Sequence, residues 1–376
     1  METLLKVPQG QFILQRLPQR KNETLRAWDA ADEYLLNYLA ENKVIKDNSK
    51  VLVLNDSFGA LAVALNYFKP VAISDSLLSQ RSTQLNFSAN KVPLKSTCLI
   101  NSLDWPTHSM DVVLIKVPKT LALLEDQLFR LQALLTPETA VIAAGMVKAM
   151  SASVWKLMER YLGPTTPSLA KKKARLIFTT LLSEQKKFVN PYPVYYQLEN
   201  TDYRITNHAN VFSRDSLDIG TRFLLQHLPN HSDAKDIVDL GCGNGIVGLI
   251  LARENPLASV VFIDESYMAV ASAKDNFNRA FDNRKADFCI ADGLTDFKDD
   301  SIDLVVCNPP FHQQNIVGNQ IALAMFKQSK RVLRKGGELR VIGNRHLNYQ
   351  LELIRLFGQC EMVASNKKFV IWKVKK

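Results

Sequence analysis

The sequence has no long apolar run, few cysteines and few histidines. No stretch of its 376 residues reaches the length of a membrane span, and its first residues lack the pattern of a signal peptide. The five cysteines and six histidines are scattered, and no Cys-x-x-Cys or Cys/His spacing indicates zinc. We therefore expect a cytoplasmic protein with reduced thiols that needs no membrane and no metal.

Composition favours two domains and a polyanionic partner. The length suits two domains, and 47% hydrophobic residues can fill two cores. Lys and Arg number 47 against 37 Asp and Glu, which gives a net charge of +10. RNA is the natural partner for such a balance, although a soluble basic protein has the same charge. The densest basic run, Lys171 to Arg175, either contacts phosphates or is a solvated strand edge.

A glycine-rich loop follows a predicted strand in the second half of the chain. The apolar run 237–240 leads into Gly241-Cys242-Gly243-Asn244-Gly245, and a predicted helix begins at Ile246. This order forms the first unit of a Rossmann-like domain. The Gly-x-Gly-x-Gly spacing differs from the dinucleotide fingerprint, and the Lys-Ser/Thr ending of a P-loop is missing. The loop therefore favours S-adenosylmethionine, which carries no phosphate, over a pyrophosphate ligand.

Two later predicted strands end in an acidic residue. Asp264 follows the apolar run 260–263, about 20 residues after the loop, where a carboxylate suits the ribose hydroxyls of a nucleoside. Asp292 follows the run 288–291 and would lie beside the adenine. Each has a simpler interpretation, since Asp264 suits a solvated strand end and Asp292-Gly293 suits a turn.

The sequence Asn308-Pro309-Pro310-Phe311 directly follows the apolar run 303–307. The Asn308 side-chain oxygen can accept a hydrogen bond from a planar amino group, and Pro309 presents a carbonyl without an N–H. Phe311 offers a flat face on which a base can stack. Two acceptors that hold both amine hydrogens would orient a poor nucleophile for methylation without a strong base. Taken alone, Asn-Pro-Pro also suits a plain strand end.

These motifs, in the order DLGCGNG, FIDES, IADG and DLVVCNPPFH, resemble the N-methylating branch of the class I methyltransferases. Within it the sequence resembles the two-domain ribosomal RNA guanine-N2 methyltransferases, and the large-subunit type most of all. The segments 210–214 and 217–221 are similar to the part of that family that precedes the glycine loop and covers the cofactor pocket.

The first half repeats the plan of the second with a shift of roughly 190 residues. The segment 51–59 takes the place of the first strand and glycine loop, and Asp111–Lys119 takes the place of 303–311. Only Gly59 of the loop glycines remains, and Lys116-Val117-Pro118-Lys119 replaces Asn-Pro-Pro-Phe. We predict a duplicated fold that lost its chemistry and retains RNA binding or support of the active half.

We predict two tandem α/β domains with Rossmann-like class I methyltransferase folds, a degenerate one at 1–190 and a catalytic one at 191–376. Strands near 337–344 and 369–374 would form an antiparallel edge. The resemblance implies transfer of a methyl group from S-adenosylmethionine to N2 of a flipped guanine in 23S rRNA. Because one chain would contain two full domains, we expect a monomer. The predicted site residues are catalytic Asn308, Pro309 and Phe311, cofactor-binding Asp239, Gly241, Gly243, Gly245, Asp264 and Asp292, and RNA-binding Lys116, Lys119, Lys171, Lys172 and Lys173.

Three alternatives stay open at this point. The same Asn-Pro-Pro-aromatic sequence would serve methylation of adenine N6 or of a glutamine amide, although Phe311 and the basic first half favour guanine in RNA. The motifs do not separate 16S from 23S rRNA. A protein of another class, a non-catalytic RNA-binding assembly factor, would not need the cofactor groups that the second half retains.

Overall fold

The computed structural model describes residues 2–19, 23–182, 188–229, 233–310 and 316–376. The chain divides into two compact units, Met1–Pro191 and Tyr192–Lys376, which we call the N-terminal unit and the C-terminal unit. None of the helices within the described ranges is long and apolar enough to span a lipid bilayer.

Within its described residues, the N-terminal unit has a hairpin, a seven-stranded sheet and five α-helices. Its strands are β1 Leu4–Val7, β2 Gly10–Ile13, β3 Val51–Leu54, β4 Val71–Ser74, β5 Cys98–Asn101, β6 Val112–Lys116, β7 Ala140–Met146, β8 Thr165–Pro167 and β9 Ala174–Thr179. Its helices are α1 Ala30–Glu41, α2 Ala60–Ala64, α3 Leu77–Ala89, α4 Leu121–Leu131 and α5 Ala152–Tyr161. The sheet order is β5-β4-β3-β6-β7-β9-β8.

The C-terminal unit has the same plan. Its strands are β10 Val194–Gln197, β11 Arg204–Asn207, β12 Asp236–Leu240, β13 Ser259–Asp264, β14 Asp287–Ile290, β15 Ile302–Cys307, β16 Leu333–Asn344, β17 Glu361–Ser365 and β18 Phe369–Lys375. Its helices are α6 Ile219–Leu225, α7 Ile246–Glu254, α8 Tyr267–Ala280, α9 Ile316–Val332 and α10 Tyr349–Phe357. The sheet order is β14-β13-β12-β15-β16-β18-β17.

Hydrophobic burial on both faces of each sheet explains these elements. The central strand β3 is a continuous apolar run, β12 is apolar apart from Asp236 and Asp239, and residues 51–54 and 237–240 are all buried. Parallel strands covered by helices on both faces have this pattern, because no strand face meets water. Two core clusters pack on each sheet, and the predicted α/β class with two Rossmann-like folds is confirmed.

The predicted antiparallel edge needs one correction. β16 and β18 do pair antiparallel, from Glu338 opposite Lys375 to Asn344 opposite Phe369. However, β18 lies inside the sheet, because β17 pairs antiparallel with its other side and forms the edge. The sequence did not indicate β17, since Glu361–Ser365 is short and only half apolar. The two hairpins, β1-β2 and β10-β11, were also not predicted.

Equivalent asparagines show that the duplication extends to side-chain contacts. In the C-terminal unit, Asn276 Nδ2 donates to the carbonyl of Asn244 in the glycine loop at 2.9 Å. In the N-terminal unit, Asn86 Nδ2 donates to the carbonyl of Phe58, at the matching loop position, at 2.8 Å. Gly59 and Gly245 have the same φ of 79°, so both loops turn into their helices in the same way.

Candidate active site

Three strands of the C-terminal unit end side by side at the proposed site. β12 pairs in parallel with β13 on one side and with β15 on the other, and Leu240 is opposite both Ile263 and Cys307. The glycine loop, Asp264 and Asn308 stand at these carboxyl ends. In open α/β sheets, ligands bind in the crevice outside the carboxyl ends of the strands.

The glycine loop leaves space for a ligand against its backbone. Gly241, Gly243 and Gly245 have φ values of 75°, 54° and 79°, a region that side chains other than glycine rarely adopt. A Cβ built on Gly245 would lie 2.7 Å from the Ala273 Cβ, so α8 packs directly on this turn. A Cβ built on Gly243 would meet no atom within 4 Å, so the loop faces open space there.

Two carboxylates hold the glycine loop in place. Asp264 accepts from the Gly243 N–H and the Ser266 N–H, both at 3.0 Å. Asp239 is buried, and it accepts from the Gly248 N–H of α7 at 2.8 Å. Burial raises the pKa of Asp239 to about 7, and the charge of Asp264 adds to this shift. Asp239 is therefore buried in the core of the unit, where it holds the start of α7 directly after the glycine loop.

A set of amide side chains, which the sequence pattern did not indicate, fastens the loop from the other side. Asn276 joins the Asn244 carbonyl to β11, because its Oδ1 accepts from the Thr206 N–H at 2.6 Å. Asn244 donates to Asn207 at 2.8 Å and to the Tyr196 hydroxyl at 3.3 Å. The only signal in the sequence was that Asn276-Phe277 matches Asn86-Phe87 of the first half.

Asn308 lies directly beside the glycine loop. A Cβ built on Gly241 would be 3.8 Å from the Asn308 carbonyl oxygen. The Asn308 Nδ2 donates to Thr221 Oγ1 at 3.1 Å. Its Oδ1 is buried and has no hydrogen-bond partner among the described residues. Such an unmet acceptor costs about 1–3 kcal/mol unless a ligand supplies a donor.

The N-terminus of α6 supports Asn308. Asp218 is the N-cap of this helix and accepts from the Thr221 N–H at 2.8 Å. The Thr221 hydroxyl lies 3.3 Å from the same carboxylate oxygen. Asp218 and Thr221 belong to the segment 217–221 that the resemblance placed over the cofactor pocket. The sequence did not indicate their contact with Asn308, because Thr221 and Asn308 are 87 residues apart.

The remaining predicted residues of this site have fewer contacts. Pro309 is buried next to Asn308, and Phe311 lies outside the described residues. Asp292 is half-buried, and its carbonyl accepts from the Thr295 hydroxyl at 2.8 Å. Within the part of the chain that the structure describes, no group of three or more His, Cys, Asp or Glu residues could hold a metal ion.

The N-terminal unit fills the matching position with an ion pair. Lys116, at the end of β6, lies 2.9 Å from Asp29 and 2.6 Å from Asp32, and its side chain is 14% exposed. Burial alone would lower the pKa of Lys116, but attraction to both carboxylates raises it. The phosphate contact predicted for Lys116 required a free ammonium group, whereas this one is enclosed and paired.

The other predicted RNA contacts are exposed. Lys119 follows β6, and Lys171, Lys172 and Lys173 form the turn before β9. Lys172 lies 3.0 Å from Glu33, with its side chain 79% exposed, and the Lys171 ammonium is 4.9 Å from the centre of the Tyr34 ring. These two exposed interactions are weak, so Lys171 and Lys172 can exchange them for phosphate oxygens.

The chain is similar to known families along its whole length. The family described as "RLMG N-terminal domain" matches residues 2–183, and the family described as "Methyltransferase small domain" matches residues 202–373. A protein of Psychromonas ingrahamii named Ribosomal RNA large subunit methyltransferase G is 46% identical, and the match covers 100% of both chains. One of Erwinia tasmaniensis with the same name is 48% identical over 98% of this chain and 97% of its own.

A solved structure has the same fold. The 16S rRNA N2 methyltransferase RsmC of T. thermophilus, in complex with AdoMet and guanosine, aligns with a TM-score of 0.76. The alignment covers 100% of this chain and 97% of that one, at 20% identity.

Proposed function

Because this chain belongs to the ribosomal RNA large subunit methyltransferase G family, we propose that it methylates the exocyclic N2 of a guanine in 23S rRNA. It is an S-adenosylmethionine-dependent methyltransferase. The observation that carries the proposed chemistry is the buried Oδ1 of Asn308 beside the glycine loop, which has no hydrogen-bond partner among the residues that the structure describes. An amine hydrogen is the donor that this acceptor lacks.

The loop residues fit the cofactor. S-adenosylmethionine, when bound, would supply a methyl group whose bond to the sulfonium sulfur breaks as the bond to N2 forms. This would leave a neutral thioether, and N2 would release one proton to solvent. The open space at Gly243 allows a ligand to approach the loop backbone, and Asp264 adjoins it. Each oxygen of Asp264 accepts one backbone N–H in the contacts described above, and a carboxylate oxygen can accept a second hydrogen bond from a ribose hydroxyl. Asp292 is proposed for the adenine amino group.

Asn308 and Pro309 would orient the substrate amine. The lone pair of the guanine N2 is delocalised into the ring, so this nitrogen is a poor nucleophile. Oδ1 of Asn308 and the Pro309 carbonyl would each accept one amine hydrogen, which directs the nitrogen lone pair towards the methyl group. Fixed acceptors of this kind stabilise the positive charge that develops on the nitrogen. Phe311 is proposed as the surface on which the flipped base stacks.

Methyl transfer to deproteinised RNA tests the proposed function. The full chain is incubated with labelled S-adenosylmethionine and unmodified 23S or 16S rRNA, and the RNA is digested to nucleosides. We expect N2-methylguanosine from 23S rRNA and none from 16S rRNA. Label in 16S rRNA alone would assign the activity to small-subunit RNA. Label in methyladenosine would show that the substrate base is adenine rather than guanine. An absence of label would contradict the activity on free rRNA.

We also propose that four exposed lysines of the N-terminal unit, Lys119, Lys171, Lys172 and Lys173, contact RNA phosphates. Lys171, Lys172 and Lys173 are adjacent in one turn, and Lys119 belongs to the position that replaces the methyltransferase motif. The support for this role is their exposure, the net charge of +10 and an rRNA substrate.

The salt dependence of RNA binding tests these contacts. Changing Lys171, Lys172 and Lys173 to alanine should reduce the slope of log K against log salt by about 2–3, because each phosphate contact contributes about 0.7–0.9. A charge-matched control changes the exposed Lys43, Lys46 and Lys50 to alanine and should leave the slope nearly unchanged. Equal slopes for wild type and the first variant would show that Lys171, Lys172 and Lys173 do not contact RNA phosphates.

A further inference from the structure

We propose that Thr221, held by Asp218, is a positioning residue that fixes the side-chain amide of Asn308 with its oxygen towards the substrate amine. This inference rests on the proposed function. The contact that carries it is the 3.1 Å hydrogen bond from Asn308 Nδ2 to Thr221 Oγ1.

The donors and acceptors allow one arrangement of this chain of hydrogen bonds. An ionised Asp218 carboxylate only accepts, and the Thr221 hydroxyl next to it at 3.3 Å donates its single proton there. The hydroxyl oxygen then has only lone pairs left for Asn308. Asn308 must meet it with its NH₂ group, so Oδ1 points the other way.

The orientation decides whether Asn308 can act. An asparagine amide is nearly symmetric in shape, so packing alone discriminates poorly between its two orientations. With the amide reversed, the NH₂ group would face the amine of the base, and two donors cannot form a hydrogen bond. Reversal would also place Oδ1 against a hydroxyl whose proton is committed to Asp218. The Thr221 hydroxyl therefore selects the productive orientation at no cost during the reaction.

The N-terminal unit supports this interpretation by contrast. Asp29 is the N-cap of α1, as Asp218 is of α6, and Asp32 is three residues further on, as Thr221 is. Lys116 takes the place of Asn308 at the end of the equivalent strand, and it binds both carboxylates. The fold brings these three positions together in both units. Only the C-terminal unit has a hydroxyl there, the group that can donate to one neighbour and accept from the other.

The test compares Thr221→Val, which has nearly the same shape without the hydroxyl, with Thr221→Ser, which keeps it. In the full chain with 23S rRNA, we expect Thr221→Val to lower kcat by about 10-fold, the effect of about one hydrogen bond. The KM for RNA and the Kd for S-adenosylmethionine should change by less than about twofold. Thr221→Ser should recover most of the lost kcat.

A matched control is Thr201→Val, because the Thr201 hydroxyl also donates to one neighbour and accepts from another, at the turn of the β10-β11 hairpin. It should leave kcat unchanged. A kcat for Thr221→Val equal to wild type, a loss that serine does not recover, or a Kd for S-adenosylmethionine weakened more than about fivefold would each overturn the proposal.

A second measurement does not require activity. The side-chain NH₂ resonances of Asn308 are identified in ¹⁵N-asparagine-labelled protein by their absence in Asn308→Ala. They should shift in Thr221→Val and return to the wild-type positions in Thr221→Ser. Unchanged resonances would contradict the hydrogen bonds proposed between Asp218, Thr221 and Asn308. If wild type modifies no RNA while these resonances shift as expected, the proposed function fails, but the hydrogen bonds between Asp218, Thr221 and Asn308 are confirmed.

Discussion

Replacing Asn308 by alanine should lower kcat for methyl transfer to 23S rRNA by about 10²–10³-fold. Removing one preorganised hydrogen-bond partner from the transition state of an enzyme has an effect of this size. Within the described residues Asn308 Oδ1 has no hydrogen-bond partner, and the one hydrogen bond of the side chain, to Thr221, contributes only about 1 kcal/mol to stability. The measurement is single-turnover methylation with saturating cofactor and RNA.

Two comparisons separate this effect from damage to the site. Calorimetry should give about the same Kd for S-adenosylmethionine, because the glycine loop is held by Asp264, Asp239 and Asn276. Asn308→Asp keeps an acceptor but cannot donate to Thr221, so its kcat should lie between those of wild type and Asn308→Ala. Activity of Asn308→Ala within about tenfold of wild type would contradict the role of Asn308.

Replacing Lys116 by alanine should destabilise the N-terminal unit by about 3–5 kcal/mol. The substitution leaves the buried Asp32 without its cation, next to Asp29 and near Asp56. Urea unfolding followed by tryptophan fluorescence reports mainly on this unit, because Trp28, Trp105 and Trp155 lie in it and only Trp372 lies in the other.

The stability that Lys116→Ala loses should increase as pH rises. In wild type, burial already raises the pKa of Asp32, although Lys116 opposes this, and burial raises the pKa of Asp56 to about 6. A carboxyl whose pKa is raised by folding stabilises the folded state when protonated, and this stability is lost as pH rises through the raised pKa. Without Lys116 these pKa values rise further. The destabilisation should therefore be largest near about pH 8 and shrink towards about pH 5.

Lys172→Ala is the matched control, because it also breaks a lysine–carboxylate pair in this unit. Its ammonium pairs with Glu33, but the side chain is 79% exposed. An exposed pair contributes about 0–1 kcal/mol, so the unfolding curve should move little. If Lys116→Ala and Lys172→Ala lowered the unfolding free energy by similar amounts, the interaction of Lys116 with Asp29 and Asp32 would not be a buried stabilising ion pair.

The sequence predicted the elements whose signal is local. The runs 51–54 and 237–240 form strands, and helices on both faces of each sheet bury all of their side chains. The glycine loop was evident from its spacing, and the loop does have positive φ at all three glycines. The order of the motifs along the chain led to the correct fold class. The edge strand β17 and both hairpins were missed because their segments are short and only partly apolar.

By itself, the sequence determined that two α/β halves share one plan, that the second half has a glycine loop between a strand and a helix, and that Asn308 directly follows a strand. These features depend on residue type and spacing, which local backbone preferences translate directly into structure. Only the tertiary structure decided what the polar side chains do. It paired Lys116 with Asp29 and Asp32, placed Asp239 under the loop and joined Asn308 to Thr221. The physical reason is that hydrogen bonds and ion pairs depend on distances between residues far apart in the chain, which the order of the residues does not contain.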